Sequence, residues 1–183
     1  KVLKDISKRN HCKNLYEEGD VQRTLSYLKP CKFNQEIKIG ENVKVTFLNN
    51  GHLMGAAMIL VQIVYEEESI NLLFTGDYHC KNIFFDVNPI PNWILNLPLT
   101  VIQESTYGNM DTDEIKYVFE ENVMECIQNN GTVIVPVFSL GRAQEILYKL
   151  KTMQQDEILD IDIPIYLDGK LAINYTELYL KDG

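Results

Sequence analysis

The sequence predicts an α/β fold made of two parts that follow one another along the chain. Up to about residue 104, apolar strand patterns occur in series, and beyond it strand and helix patterns alternate. This change places a boundary near residues 105–115, and we divide the chain into residues 1–108 and 109–183. The composition, 45% hydrophobic and 23% charged residues, is typical of a chain with a packed core.

Helical patterns open the first part. Residues 1–9 match the end of a helix. Residues 16–30 carry apolar side chains at intervals of three and four residues before Pro30. Five strands are predicted after them. Alternation predicts a hairpin for the first two, and continuous apolar runs predict that the last two are buried on both faces. These strands are residues 36–40, 42–49, 56–65, 70–76 and 99–104.

The second part opens with an amphipathic helix over residues 111–130, for which Asp111 or Thr112 is the expected N-cap. Two strands and two helices then alternate, which predicts a β-α-β-α arrangement. The strands are residues 132–138 and 163–168, and the helices are residues 140–153 and 171–181.

The formal net charge of −9 lies entirely in residues 104–183. Residues 1–103 hold 11 acidic and 11 basic residues, whereas residues 104–183 hold 15 acidic and 6 basic ones. This distribution argues against broad electrostatic binding of nucleic acid, although a bound metal ion would supply positive charge locally. No apolar run is long enough for a membrane span, no signal-peptide pattern is present, and four widely spaced cysteines indicate reduced thiols. We therefore expect a cytoplasmic protein with no membrane partner.

Two carboxylates stand at the ends of predicted strands. Asp77 follows the run F-T-G at the carboxyl end of a predicted strand. The side chain of an aspartate in this position commonly projects beyond the sheet, where it binds a metal or acts in catalysis. The alternative is that Asp77 only begins a turn. Glu104 ends the next strand and is a second candidate for catalysis. The alternatives are that its carboxylate forms a structural salt bridge or caps the following helix.

Two further places are candidates. His52 lies in "FLNNGHLMGAAMILVQI", and taken alone it is either a metal ligand or a histidine in a turn. Ser139 and Arg142 open a predicted helix directly after a strand, where free N–H groups and a guanidinium form an anion site. The alternative is that Ser139 caps the helix and Arg142 pairs with Glu145.

Taken together, five motifs resemble the metallo-β-lactamase superfamily, and within it the β-CASP branch of RNA- and DNA-processing nucleases, such as ribonuclease J and the endonuclease of pre-mRNA cleavage. The prokaryotic RNA-processing exonucleases are the nearest in pattern, and the match runs from about residue 10 to the end. The motifs in order are G-H-x-x-G-A-A, T-G-D, E-S-T-Y-G, P-x-F-S-L-G-R-A-Q-E and I-P-I-Y-L-D-G-x-L-A.

The resemblance implies a fold and a role for each motif residue. Residues 1–108 would be part of an αββα sandwich, and residues 109–183 the first part of an inserted α/β β-CASP domain. The motifs imply that His52 is a zinc ligand, that Asp77 bridges two zinc ions, and that Glu104 orients a catalytic histidine. Ser139 and Arg142 would contact substrate, and His11 and His79 match no ligand position.

The implied function is zinc-dependent hydrolysis of RNA, with single-stranded RNA as the expected partner and DNA or a second copy of the chain as further ones. The family's principal motif, H-x-H-x-D-H, is absent, so we expect this chain to be an internal piece of the enzyme that is inactive alone. The alternatives are a non-catalytic scaffold subunit and a hydrolase acting on a small molecule.

Overall fold

A computed structural model describes residues 16–66, 68–110 and 118–182. The helix predicted for residues 1–9, His11 and the caps proposed at residues 111 and 112 lie outside them. The strands are β1 (Glu36–Lys38), β2 (Val43–Asn49), β3 (Ala57–Tyr65), β4 (Glu68–Phe74) and β5 (Leu99–Ile102). The helices are α1 (Glu18–Ser26), α2 (Asn92–Leu95), α3 (Phe119–Gln128), α4 (Arg142–Gln155) and α5 (Lys170–Asp182).

The five strands form one sheet in the order β1-β2-β3-β4-β5. Strands β1 to β4 pair antiparallel, which confirms the predicted hairpin, and β5 adds parallel to β4. Strands β2, β4 and β5 therefore run in the same direction, and their carboxyl ends meet at one edge of the sheet. The segments that follow these three strands carry the candidate site.

Two separate hydrophobic cores hold the chain together. The first lies on one face of the sheet, where Leu48, Leu60 and Leu73 pack with Ile94 of α2. The second joins α3, α4 and the segment after α4. Its buried members are Val123, Met153 and Leu159. Alternation explains the first core, because every second side chain of a strand points to the same face.

The prediction that β4 and β5 are buried on both faces is wrong. In β4, the buried Asn71 and Leu73 alternate with the exposed Ile70 and Phe74, and in β5 Val101 is also exposed. A continuous apolar run shows that either face could be covered. It does not show whether a second layer packs there in this chain.

The strands predicted for residues 132–138 and 163–168 are also not observed. Both segments lack ladder partners among the described residues, and Ile134, Phe138 and Tyr166 are almost fully exposed. The sequence pattern is that of a strand, but a strand forms only where a neighbour accepts and donates its hydrogen bonds.

The predicted helices agree with the structure better than the predicted strands do, because a helix forms its backbone hydrogen bonds within its own segment. Helices α4 and α5 confirm the helices predicted for residues 140–153 and 171–181, and α3 confirms the described part of the helix before them. Helix α1 ends at Ser26, four residues before Pro30. Among the described residues, no helix has both the length and the apolar character needed to cross a membrane.

We predict that Leu60→Ala lowers the free energy of unfolding by about 2–5 kcal/mol, because it leaves a cavity in the first core. Leu60 is 0% exposed, whereas Leu95 of α2 is 57% exposed and provides a control of the same chemistry. Urea unfolding measures the free energy of unfolding of both variants, and Leu95→Ala should lower it much less than Leu60→Ala does. Equal losses would contradict the assignment of the core.

Candidate metal centre

Three strand ends deliver the candidate residues. His52 stands three residues after β2, Asp77 three residues after β4, and Glu104 two residues after β5. Since these strands run in the same direction, all three side chains belong to the same edge of the sheet. Short segments after strand ends are free of ladder pairing, so their side chains can turn towards one another.

His52 and Asp77 lie close together. The Nε2 atom of His52 is 3.9 Å from an Oδ atom of Asp77, which is too long for a hydrogen bond. Two donors to one tetrahedral zinc ion lie about 3.3 Å apart, given zinc–donor distances of about 2.0–2.1 Å. The imidazole is partly buried, and its buried Nδ1 atom has no hydrogen-bond partner among the described residues. An imidazole nitrogen and a carboxylate oxygen therefore face each other, about 0.6 Å farther apart than two ligands of one tetrahedral zinc ion.

These two residues do not form a complete site. No group of three or more histidine, cysteine, aspartate and glutamate side chains in the described parts of the chain could hold a metal ion. Structural zinc sites have four ligands, and catalytic ones commonly have three protein ligands. His52 and Asp77 fit a metal ion in donor type, and a small side-chain movement would bring them to the ligand spacing, but they supply only part of its coordination.

Asn50 connects the His52 segment to the Asp77 segment. Its side-chain nitrogen donates to the backbone oxygens of Asp77 at 2.8 Å and Thr75 at 3.2 Å, and its side-chain oxygen accepts from the backbone N–H of His52 at 3.1 Å. The asparagine is buried. Sequence analysis missed this residue because an asparagine before a Gly-His pair reads only as part of a turn.

Gly51 allows the turn before His52 to pass close to the segment after Asp77. Its φ of +74° favours glycine, and a Cβ there would lie 2.1 Å from the backbone oxygen of His79. Asn82 donates to the oxygen of Gly51 at 2.9 Å, and Asn49 accepts from its N–H at 2.9 Å. The turn is therefore fixed by side chains on both sides of it.

His79 lies closer to the site than the sequence indicated. Its ring stacks on that of His52, with centroids 5.4 Å apart and planes inclined by 22°. Its backbone N–H donates to the oxygen of Asn50 at 2.9 Å. Its position two residues after Asp77 was the signal that could have indicated this contact.

Glu104 forms hydrogen bonds with two neighbouring segments. One carboxylate oxygen accepts from the hydroxyl of Thr106 at 2.6 Å, and the other accepts from the backbone N–H of Tyr78 at 3.0 Å. The Thr106 bond, followed by the Tyr78 bond, holds the pKa of Glu104 below its ordinary value, and the charge of His79 adds to this effect. The ionised Glu104 thus fixes the residue directly after Asp77.

The helix that starts with Arg142 lies against the His52 segment. Gly141 has a φ of +81°, which favours glycine, and a Cβ there would lie 2.3 Å from the Cδ2 atom of Leu53, so the leucine side chain would have to move. Arg142 pairs with Glu145, as one alternative expected. Ser139 does not cap the helix, because the N-cap position is occupied by Gly141, whose N–H donates to the side chain of Gln144 at 2.8 Å.

Sequence comparison finds relatives among proteins of RNA metabolism. An RNase J-like protein of Methanocaldococcus jannaschii is 34% identical over 171 residues, which cover 91% of this chain and 39% of that protein. Transcription termination factor FttA of Methanosarcina mazei is 32% identical over 91% of this chain and 26% of its own length. Endoribonuclease YSH1 of Mycosarcoma maydis is 27% identical over 95% and 19%, respectively. No family model matches the chain.

The fold and the site place this chain among α/β proteins in which histidine and carboxylate side chains lie close together after the carboxyl ends of sheet strands. The relatives then define the family. The chain belongs to the β-CASP branch of the metallo-β-lactamase superfamily, which confirms the resemblance seen in its five motifs. It spans less than half of the length of each of these three relatives.

We predict that Gly51→Ala destabilises the protein more than Gly55→Ala does. Both glycines have positive φ, which costs an alanine about 1–2 kcal/mol, but only Gly51 also faces a backbone oxygen at 2.1 Å. In the described parts of the chain, no atom lies within 4 Å of a Cβ at Gly55. Urea unfolding of the two variants separates the steric clash from the backbone strain, and equal losses would contradict the close approach of the two segments.

We predict that Thr106→Val raises the pKa of Glu104 towards its ordinary value, because it removes the strongest cause of the lowered pKa. A carboxyl-carbon NMR titration measures this pKa, and Thr100→Val on β5 is the control that should leave it unchanged. Since the pKa is lower in the folded state, ionised Glu104 stabilises the fold above its unfolded pKa. That contribution is lost as the pH falls through the folded pKa, and it should be smaller in Thr106→Val.

Proposed function

We propose that the complete protein carrying this chain hydrolyses phosphodiester bonds of single-stranded RNA with two zinc ions. The observation that carries the proposal is the convergence of His52 and Asp77 from two strand ends, with 3.9 Å between a ring nitrogen and a carboxylate oxygen. Relatives named as ribonucleases supply the substrate class. DNA and a second copy of the chain remain further candidate partners, and we place the protein in the cytoplasm.

Each residue has a task that its chemistry suits. His52 offers a neutral nitrogen, and Asp77 is an anion with two oxygens, so that it could bind two cations at once. When bound, a zinc pair would supply a hydroxide at neutral pH and stabilise negative charge on phosphoryl oxygens. Glu104 holds the segment after Asp77 through Tyr78 and stays ionised, as a carboxylate that orients a histidine must.

The proposal assigns residues 1–108 to the metallo-β-lactamase sandwich and residues 109–183 to the β-CASP domain. The two separate hydrophobic cores support this division. The second part touches the site directly, because Gly141 at the start of α4 packs against Leu53. A substrate lying between the two parts would therefore meet both the candidate metal centre and the start of α4.

Ser139 and Arg142 are the proposed substrate contacts at that start. Arg142 is exposed, and its guanidinium is held by Glu145 one helical turn away. An exposed ion pair of this type contributes little to stability, so the guanidinium can exchange Glu145 for an RNA phosphate at small cost. Such a local cation compensates for the net charge of −9, which repels RNA elsewhere.

The experiment uses the complete protein with Asp77→Ala, assayed on single-stranded RNA with 5′-monophosphate or 5′-hydroxyl ends, with zinc content measured in parallel. We expect activity to fall at least about 100-fold, since even residues outside the ligand set cost 10–100-fold when lost. We also expect less zinc per molecule. Asp156→Ala, an exposed aspartate after α4, is the matched control.

Two results would contradict the proposal. If Asp77→Ala keeps full activity and full zinc, the assignment of Asp77 is wrong. If the wild-type protein binds no zinc and still binds RNA, the non-catalytic scaffold becomes the better description.

A further inference from the structure

We propose that Asn50 is a positioning residue that sets the separation of His52 and Asp77 and thereby the affinity for metal. This inference rests on the proposed metal site. It concerns a side chain that has no ligand role itself, because its oxygen and nitrogen are already engaged with backbone groups.

The sheet alone does not bring the two metal-binding side chains together. They follow β2 and β4, and β3 lies between these strands. Two strand spacings amount to roughly 9.5 Å, whereas the donor atoms of His52 and Asp77 are 3.9 Å apart. The two segments must therefore bend towards each other across the start of β3, and some interaction must hold them there.

Asn50 provides that interaction. Its side chain bonds the backbone N–H of His52 on one side and the backbone oxygens of Thr75 and Asp77 on the other. Its own backbone oxygen accepts from His79 at 2.9 Å. One residue, only 3% exposed, thus joins both sides of the gap through four hydrogen bonds of 2.8–3.2 Å.

The amide is the group that this position requires. The neighbours present one donor, the N–H of His52, and two acceptors, the oxygens of Thr75 and Asp77. Only a side chain with both an acceptor oxygen and an NH₂ group satisfies all three. A shorter or apolar side chain would leave buried backbone groups unpaired, and the segments would separate to reach water.

Asn71 is a matched control for the loss of a buried amide. It is 2% exposed and lies on β4, six residues before Asp77, which corresponds to about 20 Å of extended chain. Its side chain accepts from Gln62 at 3.0 Å and donates to Ser69 and to the oxygen of Pro98. A general loss of stability should appear in both asparagine variants, whereas a change at the metal site should appear only in that of Asn50.

The experiment compares Asn50→Ala and Asn71→Ala in the complete protein. Thermal unfolding measures stability, hydrogen exchange of the His52 amide in metal-free protein measures the position of the segment, and transfer of zinc to a chelator measures affinity. We expect similar losses of thermal stability. Only Asn50→Ala should show faster exchange at His52 and zinc affinity reduced about 10–100-fold. Asn50→Ser serves as a milder variant if Asn50→Ala does not fold.

Each outcome decides between the possibilities. If the Asn50 variants bind zinc as the wild type does, or if Asn71→Ala loses as much affinity, the positioning role is wrong and the proposed function stands. If the wild-type protein binds no zinc, the proposed metal site fails, and the role of Asn50 in metal affinity fails with it.

Discussion

The shared direction of β2, β4 and β5 is the constraint on which the rest of the structure depends. Because β3 returns the chain between β2 and β4, and β5 adds parallel to β4, three carboxyl ends meet at one edge of the sheet. Reversing any of these strands would move its functional residue to the opposite edge. The motifs of the sequence are chemically meaningful only in this topology.

Beyond the strand ends, backbone groups lose their ladder partners, and polar side chains replace them. Asn49, Asn50 and Asn82 all bond to the turn that carries His52, while Glu104 bonds to the residue after Asp77. Such side chain–backbone bonds satisfy backbone groups that a ladder would otherwise pair. The segments that carry His52 and Asp77 are therefore held in place by residues that would not themselves bind the metal.

The second part of the chain holds the same turn from the other side. Besides the contact between Gly141 and Leu53, the ring of Phe84 packs edge-on against Tyr148 of α4 and Tyr179 of α5. Burial raises the pKa of Tyr179 and the charge of Glu145 raises it further, although a backbone hydrogen bond with Met54 acts in the opposite direction. The phenol thus stays neutral where it meets the segment that carries His52.

The sequence by itself determined the family, the positions of the five strands along the chain, the helices α4 and α5, and the candidates His52, Asp77 and Glu104. It could do so because side-chain period and residue chemistry are local properties. Tertiary structure alone decided that the segments at 132–138 and 163–168 form no ladder with any described residue. It further decided that β4 has one open face and that β5 is exposed on both faces at Val101 and Ile102. It also decided that Asn50 and His79 join the site. These features depend on which distant groups come within hydrogen-bonding or packing distance, and no local pattern carries that information.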